Sequence, residues 1–334
     1  MNIKIAYKLF RLFTLFVMFF TFFSACKKEN HITDYTIIDI KVNATLKKII
    51  FINDSTGYLC GGKKNDFGII YKSTDSGNSW YSIYLDNNKS INDIFFISDS
   101  LGYACGDELL LIKTTNGGQT WYKAYDYSFS NWQEYVTPLQ SIWFLNKDTG
   151  FVSGGDNYYK GVICKTFNGG LDWTFQSLDN EQKSIFFNNN QTGYFSGYGI
   201  IYKTDNGGKN LDILDIDGDS FVSVFFVNSN NGFAAGYNGG IYKTTDAGNS
   251  WKAVLKGNSL FKERININNI RFINNNSGYA VGNNGLLLTT NNSGNDWSKK
   301  IIDKNLNLYS IFVNNHNEAF ISADNGKIIK ITSL

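Results

Sequence analysis

Apolar residues recur along this chain in short runs, and the order of runs and turns itself repeats. The leading runs lie at residues 49–52, 94–97, 142–145, 184–187, 224–227, 270–273 and 311–313. Each is followed by a polar turn and then a small or aromatic stretch between two glycines. These stretches read GYLCG at 57–61, GYACG at 102–106, GFVSG at 150–154, GYFSG at 193–197, GFAAG at 232–236 and GYAVG at 278–282, with a degenerate seventh copy at 318–322. A third run, such as residues 240–243, enters a polar phrase, and the residues beyond that phrase form a fourth. Short β-branched and aromatic runs bounded by Gly and Asn turns read as strands. Four strands per unit, repeated seven times, predict an all-β chain of four-stranded antiparallel blades arranged as a seven-bladed propeller.

The polar phrase reads STDSGNSW at 73–80, TTNGGQTW at 114–121, TFNGGLDW at 166–173, TTDAGNSW at 244–251 and TNNSGNDW at 290–297. A worn copy at 204–211 ends on Leu211 instead of Trp. Its third residue (Asp75, Asn116, Asn168, Asn206, Asp246 or Asn292) is placed to accept hydrogen bonds from backbone N–H groups further along the turn. The Gly two residues later tolerates a positive φ. The closing Trp80, Trp121, Trp173, Trp251 and Trp297 cover blade surface, and each indole N–H needs a partner. The regular carboxylates are therefore turn-holding groups and not a catalytic set. The seventh unit stops at Leu334, where its own phrase and fourth strand should begin. The apolar segment at residues 35–42 is expected to supply that outer strand and latch the ring, leaving only short protected edges.

This phrase resembles the Asp-box of neuraminidase-type repeats, found in sialidases, sortilin-like receptors and some glucan hydrolases. The full unit, from about Leu46 onward, is most similar to seven-bladed propellers related to the photosystem II stability and assembly factor. That resemblance implies the fold; one fold hosts many activities. The arginine triad and Arg-Ile-Pro motif that likeness to sialidases would imply are missing. The chain has only Arg11, Arg264 and Arg271, its one proline is Pro138, and no Arg precedes it in such a motif. Lysine is a poor substitute for bidentate carboxylate recognition. The glucan hydrolases use two facing propellers, and this chain is long enough for one.

Lys4, Lys8 and Arg11 precede an apolar run at residues 12–23, followed by Ser24, Ala25 and Cys26. This pattern reads as an export signal, and the run is short for a membrane span. Cys after Ser-Ala resembles a bacterial lipoprotein box with Cys26 as the lipidated residue; an ordinary signal peptide or a short uncleaved anchor is the alternative. The expected organisation is a signal peptide at 1–25, a tether at 26–34 and the propeller at 35–334. The expected location is a lipid anchor on the outer membrane or cell surface. Removing residues 1–25 leaves 28 basic against 29 acidic residues, so there is no general basic field for nucleic acid.

Cys60 and Cys105 occupy equivalent strand positions in neighbouring blades, about 10 Å apart and too far for a disulfide. With Cys164 they read as small core residues. Only His31 and His316 are present, so no zinc constellation is expected, and no cofactor or catalytic residue is assigned. The lysines before the phrase (Lys72, Lys113, Lys165, Lys203 and Lys243) read as stems packed beside the Trp with solvated heads, or as a basic collar.

In a four-stranded meander the first and third turns share one face, and the second turn and the crossover to the next blade share the other. Every substantial insertion maps to that second face, at residues 63–67, 122–138, 156–160 and 255–265. The candidate partner-binding residues are Lys63, Lys64, Phe67, Tyr125, Tyr127, Phe129, Trp132, Tyr135, Asp156, Tyr158, Tyr159, Phe261 and Arg264. Variable loops on a rigid scaffold carry recognition, and Tyr, Trp and Arg dominate interface energetics. The expectation is a non-catalytic module binding an envelope protein. The alternative is a glycan-binding or glycan-cleaving protein, with Asp156 paired to Glu134 or Glu263.

Overall fold

The computed structural model describes residues 35–125, 138–158, 160–214, 216, 220–257 and 265–332. All regular structure within them is β-strand, in seven four-stranded antiparallel sheets. Blade 1 shows the plan: strands Thr45–Phe51, Gly57–Lys63, Phe67–Ser73 and Tyr81–Asp86, paired in that order. Blades 2 to 6 repeat it over residues 91–123, 139–178, 182–214, 221–255 and 267–301. Blade 7 takes three strands from residues 308–331 and its outer strand from Tyr35–Asp39, which pairs antiparallel with Lys327–Ile331. The ring is thus latched as the sequence suggests, by a strand shorter than residues 35–42. Beyond Asp39 only the Ile40 N–H still reaches across, to the Gly326 carbonyl at 3.1 Å.

Each first strand carries a bulge at one register, for example between Ile91 and Asp93. The closing glycine of the second strand sits against that bulge: a Cβ on Gly106 would lie 2.2 Å from the Ser90 carbonyl oxygen. The opening glycine meets an aromatic ring instead, since a Cβ on Gly102 would lie 2.5 Å from Phe96. The paired glycines of the repeat are therefore demanded by close approach.

Blades are joined by a recurring aromatic sandwich. Tyr58 of blade 1 stacks on Phe96 of blade 2 at 4.0 Å, and Phe96 meets the edge of Trp121 at 6.1 Å. Tyr103, Phe144 and Trp173 repeat it, as do Tyr194, Phe226 and Trp251, then Phe233, Phe272 and Trp297. Phe320, Phe51 and Trp80 close the circle. Each such pair contributes about 0.5–1.5 kcal/mol beyond its buried area. In the worn repeat Leu211 packs in place of the Trp, beside Phe187 and Phe195.

The turn phrase works as its third residue predicts. Asp75 accepts from the Ser79 N–H at 2.9 Å, and Asn116, Asn168, Asn206, Asp246 and Asn292 accept equivalent bonds. The phrase's first residue does as much: Ser73 Oγ accepts from the Gly77 N–H at 2.9 Å and donates to Asp75. The indole expectation holds only in part. Trp80, Trp173 and Trp251 donate to turn carbonyls, whereas the buried Nε1 atoms of Trp121 and Trp297 have no partner among the described residues. Those two rings are held by packing alone.

The lysines before the phrase are neither a solvated fringe nor a basic collar. Lys72 and Lys113 reach into the next blade and donate to the Gly117 and Gly169 carbonyls at 3.0 Å. Lys165 reaches Gly207 and Lys243 reaches Ser293 in the same way. Tyr58 and Tyr103 hydroxyls donate to the same carbonyls as Lys72 and Lys113. Lys203 instead pairs with Asp205 at 3.1 Å. A charged donor on a turn carbonyl stitches neighbouring blades together.

At the hub, polar side chains link first strand to first strand. Asp93 pairs with Lys48 at 3.1 Å, and accepts from Ser141 Oγ and the Ile142 N–H, each at 3.0 Å. Ser141, Ser223 and Ser310 accept from the N–H groups of Ile185, Ile270 and Ile49 in the next blade. Cys60, Cys105 and Cys164 are buried free thiols, and burial raises the pKa of each.

Hydrogen bonds from the Ser79 and Ser250 side chains hold Asp75 and Asp246 down to about 2, from an ordinary 3.8. A depressed folded pKa stabilises above the unfolded value, and the contribution is lost as pH falls through the folded one. Melting temperature should therefore drop between about pH 4 and pH 2. The double variant Asp75→Asn, Asp246→Asn should flatten part of that drop and melt normally at pH 7, because the other phrases already carry Asn there. An unchanged acid profile would show that these carboxylates are uncoupled from folding.

Candidate functional site

Second turns and crossovers do share one face, opposite the turn phrases, as the strand order requires. Tyr127, Phe129, Trp132, Tyr135, Tyr159, Phe261 and Arg264, with Glu134, Glu263 and the lipidation candidate Cys26, lie outside the described residues. The remaining candidates fall into separate places. Lys63 spans its own turn to Asp66 at 2.9 Å, and Lys64 is exposed. Phe67 begins a third strand and packs on the core beside Leu46 and Ile69. These three belong to blade 1, with blade 2 between them and Tyr158. Tyr125 packs against the buried cluster of Leu139 and Trp173, with the Lys123 ammonium 5.9 Å from its ring.

Blade 3 supplies the exposed aromatic. Asp156 ends a second strand and accepts a hydrogen bond from Asn157 Nδ2 at 2.9 Å. The next two residues, Asn157 and Tyr158, have φ of 56° and 68°. This left-handed turn is uncommon for residues with a Cβ. Tyr158 is 49% exposed. Its ring lies 4.6 Å from that of Tyr198, in the equivalent turn of blade 4, and its carbonyl accepts from the Glu181 N–H at 3.1 Å.

Tyr237 lies in the equivalent turn of blade 5. Its pKa is pushed up to about 12, first by burial and then by the charge of Glu181 and the neighbouring Tyr158 and Tyr198. Glu181 is buried and ion-paired with Lys183. Two tyrosines from consecutive blades thus lie ring to ring, beside the Glu181–Lys183 ion pair. The sequence points to Tyr158 but not to Tyr198, Tyr237 or Glu181, which share its face or its surroundings. The signal was available: Tyr198 and Tyr237 each directly follow the closing glycine of a repeat, Gly197 and Gly236.

Such a pair offers flat apolar faces with hydroxyls at their edges, suited to gripping a peptide or another amphipathic surface. Among the described residues, no three His, Cys, Asp or Glu side chains are grouped to hold a metal ion.

The sequence model of the photosynthesis system II assembly factor YCF48 family matches residues 27–125 and 126–262. No curated protein matches the sequence. Among solved structures, the fold is similar to that of YCF48 bound to D1 peptide, with a TM-score of 0.67 at 17% identity over 90% of this chain and 97% of that chain. YCF48 from Cyanidioschyzon merolae aligns with a TM-score of 0.66 at 14% identity over 89% of this chain and 98% of that one. The WD40 β-propeller domain of Doa1 gives 0.66 at 9% identity over 89% and 96%. At these identities the structural likenesses establish the propeller fold.

Proposed function

Since the chain belongs to the photosynthesis system II assembly factor YCF48 family, we propose that it is a non-catalytic, lipid-anchored module that grips a segment of an envelope protein on its second-turn face. The observation that carries this reading is the half-exposed Tyr158 ring lying 4.6 Å from that of Tyr198, across two blades. Tyrosine buries a large face at small entropic cost, and such residues concentrate interface energy. The solved YCF48 structure with a D1 peptide supports it, because a propeller of this shape there holds a piece of a partner protein. A lipid on Cys26 would keep the propeller beside membrane-embedded partners, with the intervening residues as tether.

The test is a pull-down from detergent-solubilised membranes with the tagged full-length chain. Tyr158→Ala with Tyr198→Ala should lower recovery of the captured partner by about tenfold or more, the size expected for interface hot spots. Phe167→Ala, an exposed aromatic in a turn phrase on the opposite face, should leave it unchanged. Cys26→Ser should release the chain from membranes without weakening binding in solution. Full recovery by the double tyrosine variant would remove the face assignment, and an unchanged membrane fraction for Cys26→Ser would remove the anchor.

A further inference from the structure

The seven first strands enclose a central cavity of 510 Å³ that reaches from Lys48 and Asp93 to Ser98 and Asp99 in the first turn of blade 2. It therefore lies toward the turn-phrase face, away from the tyrosine pair. One position in each first strand, two residues beyond the polar belt, lines its wall: Ile50, Phe95, Trp143, Phe186, Phe225, Arg271 and Phe312. The aromatic members form a continuous arc. Phe95 lies 5.3 Å from Trp143, Trp143 lies 5.5 Å from Phe186, and Phe186 lies 5.2 Å from Phe225. The Arg271 guanidinium ends the arc, 5.2 Å over the Phe225 ring.

Arg271 is the exception that needs a reason. Six of seven equivalent positions are apolar, so the fold itself does not require a cation there. Among the described residues Arg271 makes no hydrogen bond or ion pair, although a guanidinium offers five donors. It is half-buried, and desolvation lowers its pKa against the opposing charge of Asp93. The two acidic groups that line the cavity form no bond with it. Asp93 is engaged by Lys48, Ser141 and the Ile142 N–H, and Asp99 lies exposed at the rim. A second recess, lined by Asn314, Asn315 and Asn317 among others, meets the central cavity at Arg271, Phe225 and Phe312. Two cavities thus converge on one unpaired cation flanked by aromatic faces.

We propose that this cavity binds a carboxylate carried on an aromatic or aliphatic body, with the carboxylate paired to Arg271 and the body lying along the arc of rings. A planar guanidinium matches a carboxylate in a two-bond fork. A doubly charged phosphate suits the place less well, because Asp93 and Asp99 offset the cations of the wall. The volume falls within the range of small-molecule sites, and it also admits the last residue of a peptide. A chain terminus and a free carboxylic acid share this chemistry.

The experiment titrates the full-length chain with phenylacetate and with a tetrapeptide ending in phenylalanine, each against its neutral carboxamide. Binding is followed by ligand NMR and by Trp emission, with Trp143→Phe identifying the local signal. At least one acid should bind, with its amide weaker by about tenfold or more, as loss of a charge-assisted bond implies. Arg271→Gln should cost the acid a similar factor, and Arg271→Lys should cost less. Preference for the peptide acid assigns a chain terminus, and preference for phenylacetate assigns a free acid. Equal binding of acid and amide, no binding of either acid, or indifference to Arg271→Gln would overturn the site. Arg271→Phe, which matches most of its ring neighbours, should melt at or above the temperature of the unmodified chain. A fall of several degrees would make Arg271 a structural prop on Phe225 and overturn the site as well. Tyr158→Ala with Tyr198→Ala should leave acid binding intact, so this site and the second-turn face stand or fall separately.

Discussion

Deleting residues 1–42 is expected to open the ring and cost the propeller about 10 °C or more of melting temperature. Among the described residues, Tyr35–Asp39 is the only outer strand of blade 7, and without it Lys327–Ile331 becomes a bare edge. Ile38, Ile40 and Val42 pack beside Leu46, Phe320 and Ile328, so they join blade 7 to blade 1. Each half-buried aliphatic chain contributes roughly 1–2 kcal/mol. The loss is then about 3–6 kcal/mol before the released segment regains its entropy. Against a typical total of about 5–15 kcal/mol that is a large share. The exposed edge should also pair between molecules, so the truncated chain should aggregate on warming. Deleting only residues 1–34 is the control and should leave the melt unchanged. The two deletions compared by calorimetry and light scattering decide the matter: equal melting would mean that the latch contributes nothing.

Asp93→Ala should be the most damaging single substitution at the hub, by about 3–5 kcal/mol. It removes the counter-charge of Lys48 and the acceptor for Ser141 Oγ and the Ile142 N–H, in a site where Asp93 is 4% exposed. The cost comes chiefly from the groups left behind, a lysine without its partner and a buried N–H without its acceptor. Lys48→Ser together with Asp93→Ser should recover most of it. Blades 3, 5 and 7 already place a serine at this position, where it accepts from the neighbouring strand's N–H. Denaturant titration of Lys48→Ser, Asp93→Ser and the double closes a mutant cycle. A loss under about 1 kcal/mol for Asp93→Ala would show the pair to be solvated.

Much of this was legible before any coordinates. The glycine pairs, the phrase and the orphan segment at residues 35–42 each specify a local pairing, and local pairings summed around a ring give the fold. The hydrogen bonds of the turn carboxylates could be read because their partners lie within four residues. The lysines before the phrase were misread because their partners lie a whole repeat away, in carbonyls that carry no side-chain signature. The indole expectation failed at Trp121 and Trp297 for a related reason: ring stacking on Phe96 and Phe272 holds them without a bond. The second-turn face was legible as a face, since strand order alone fixes which turns share it. Its described aromatic centre was not, because Tyr198 and Tyr237 sit in short turns that no insertion marks.

The sequence by itself determined the number of blades, the order of their strands and the segment that closes the ring. Alternation and turn chemistry act between neighbours in the chain, so they can be read along it. Only the tertiary structure decided what meets across blades: Tyr158 with Tyr198, Lys72 with Gly117, and Arg271 at the end of an arc of aromatic rings. Radial packing sets those encounters, bringing equivalent positions of successive repeats to one wall, where a single departure from the pattern becomes a chemical feature.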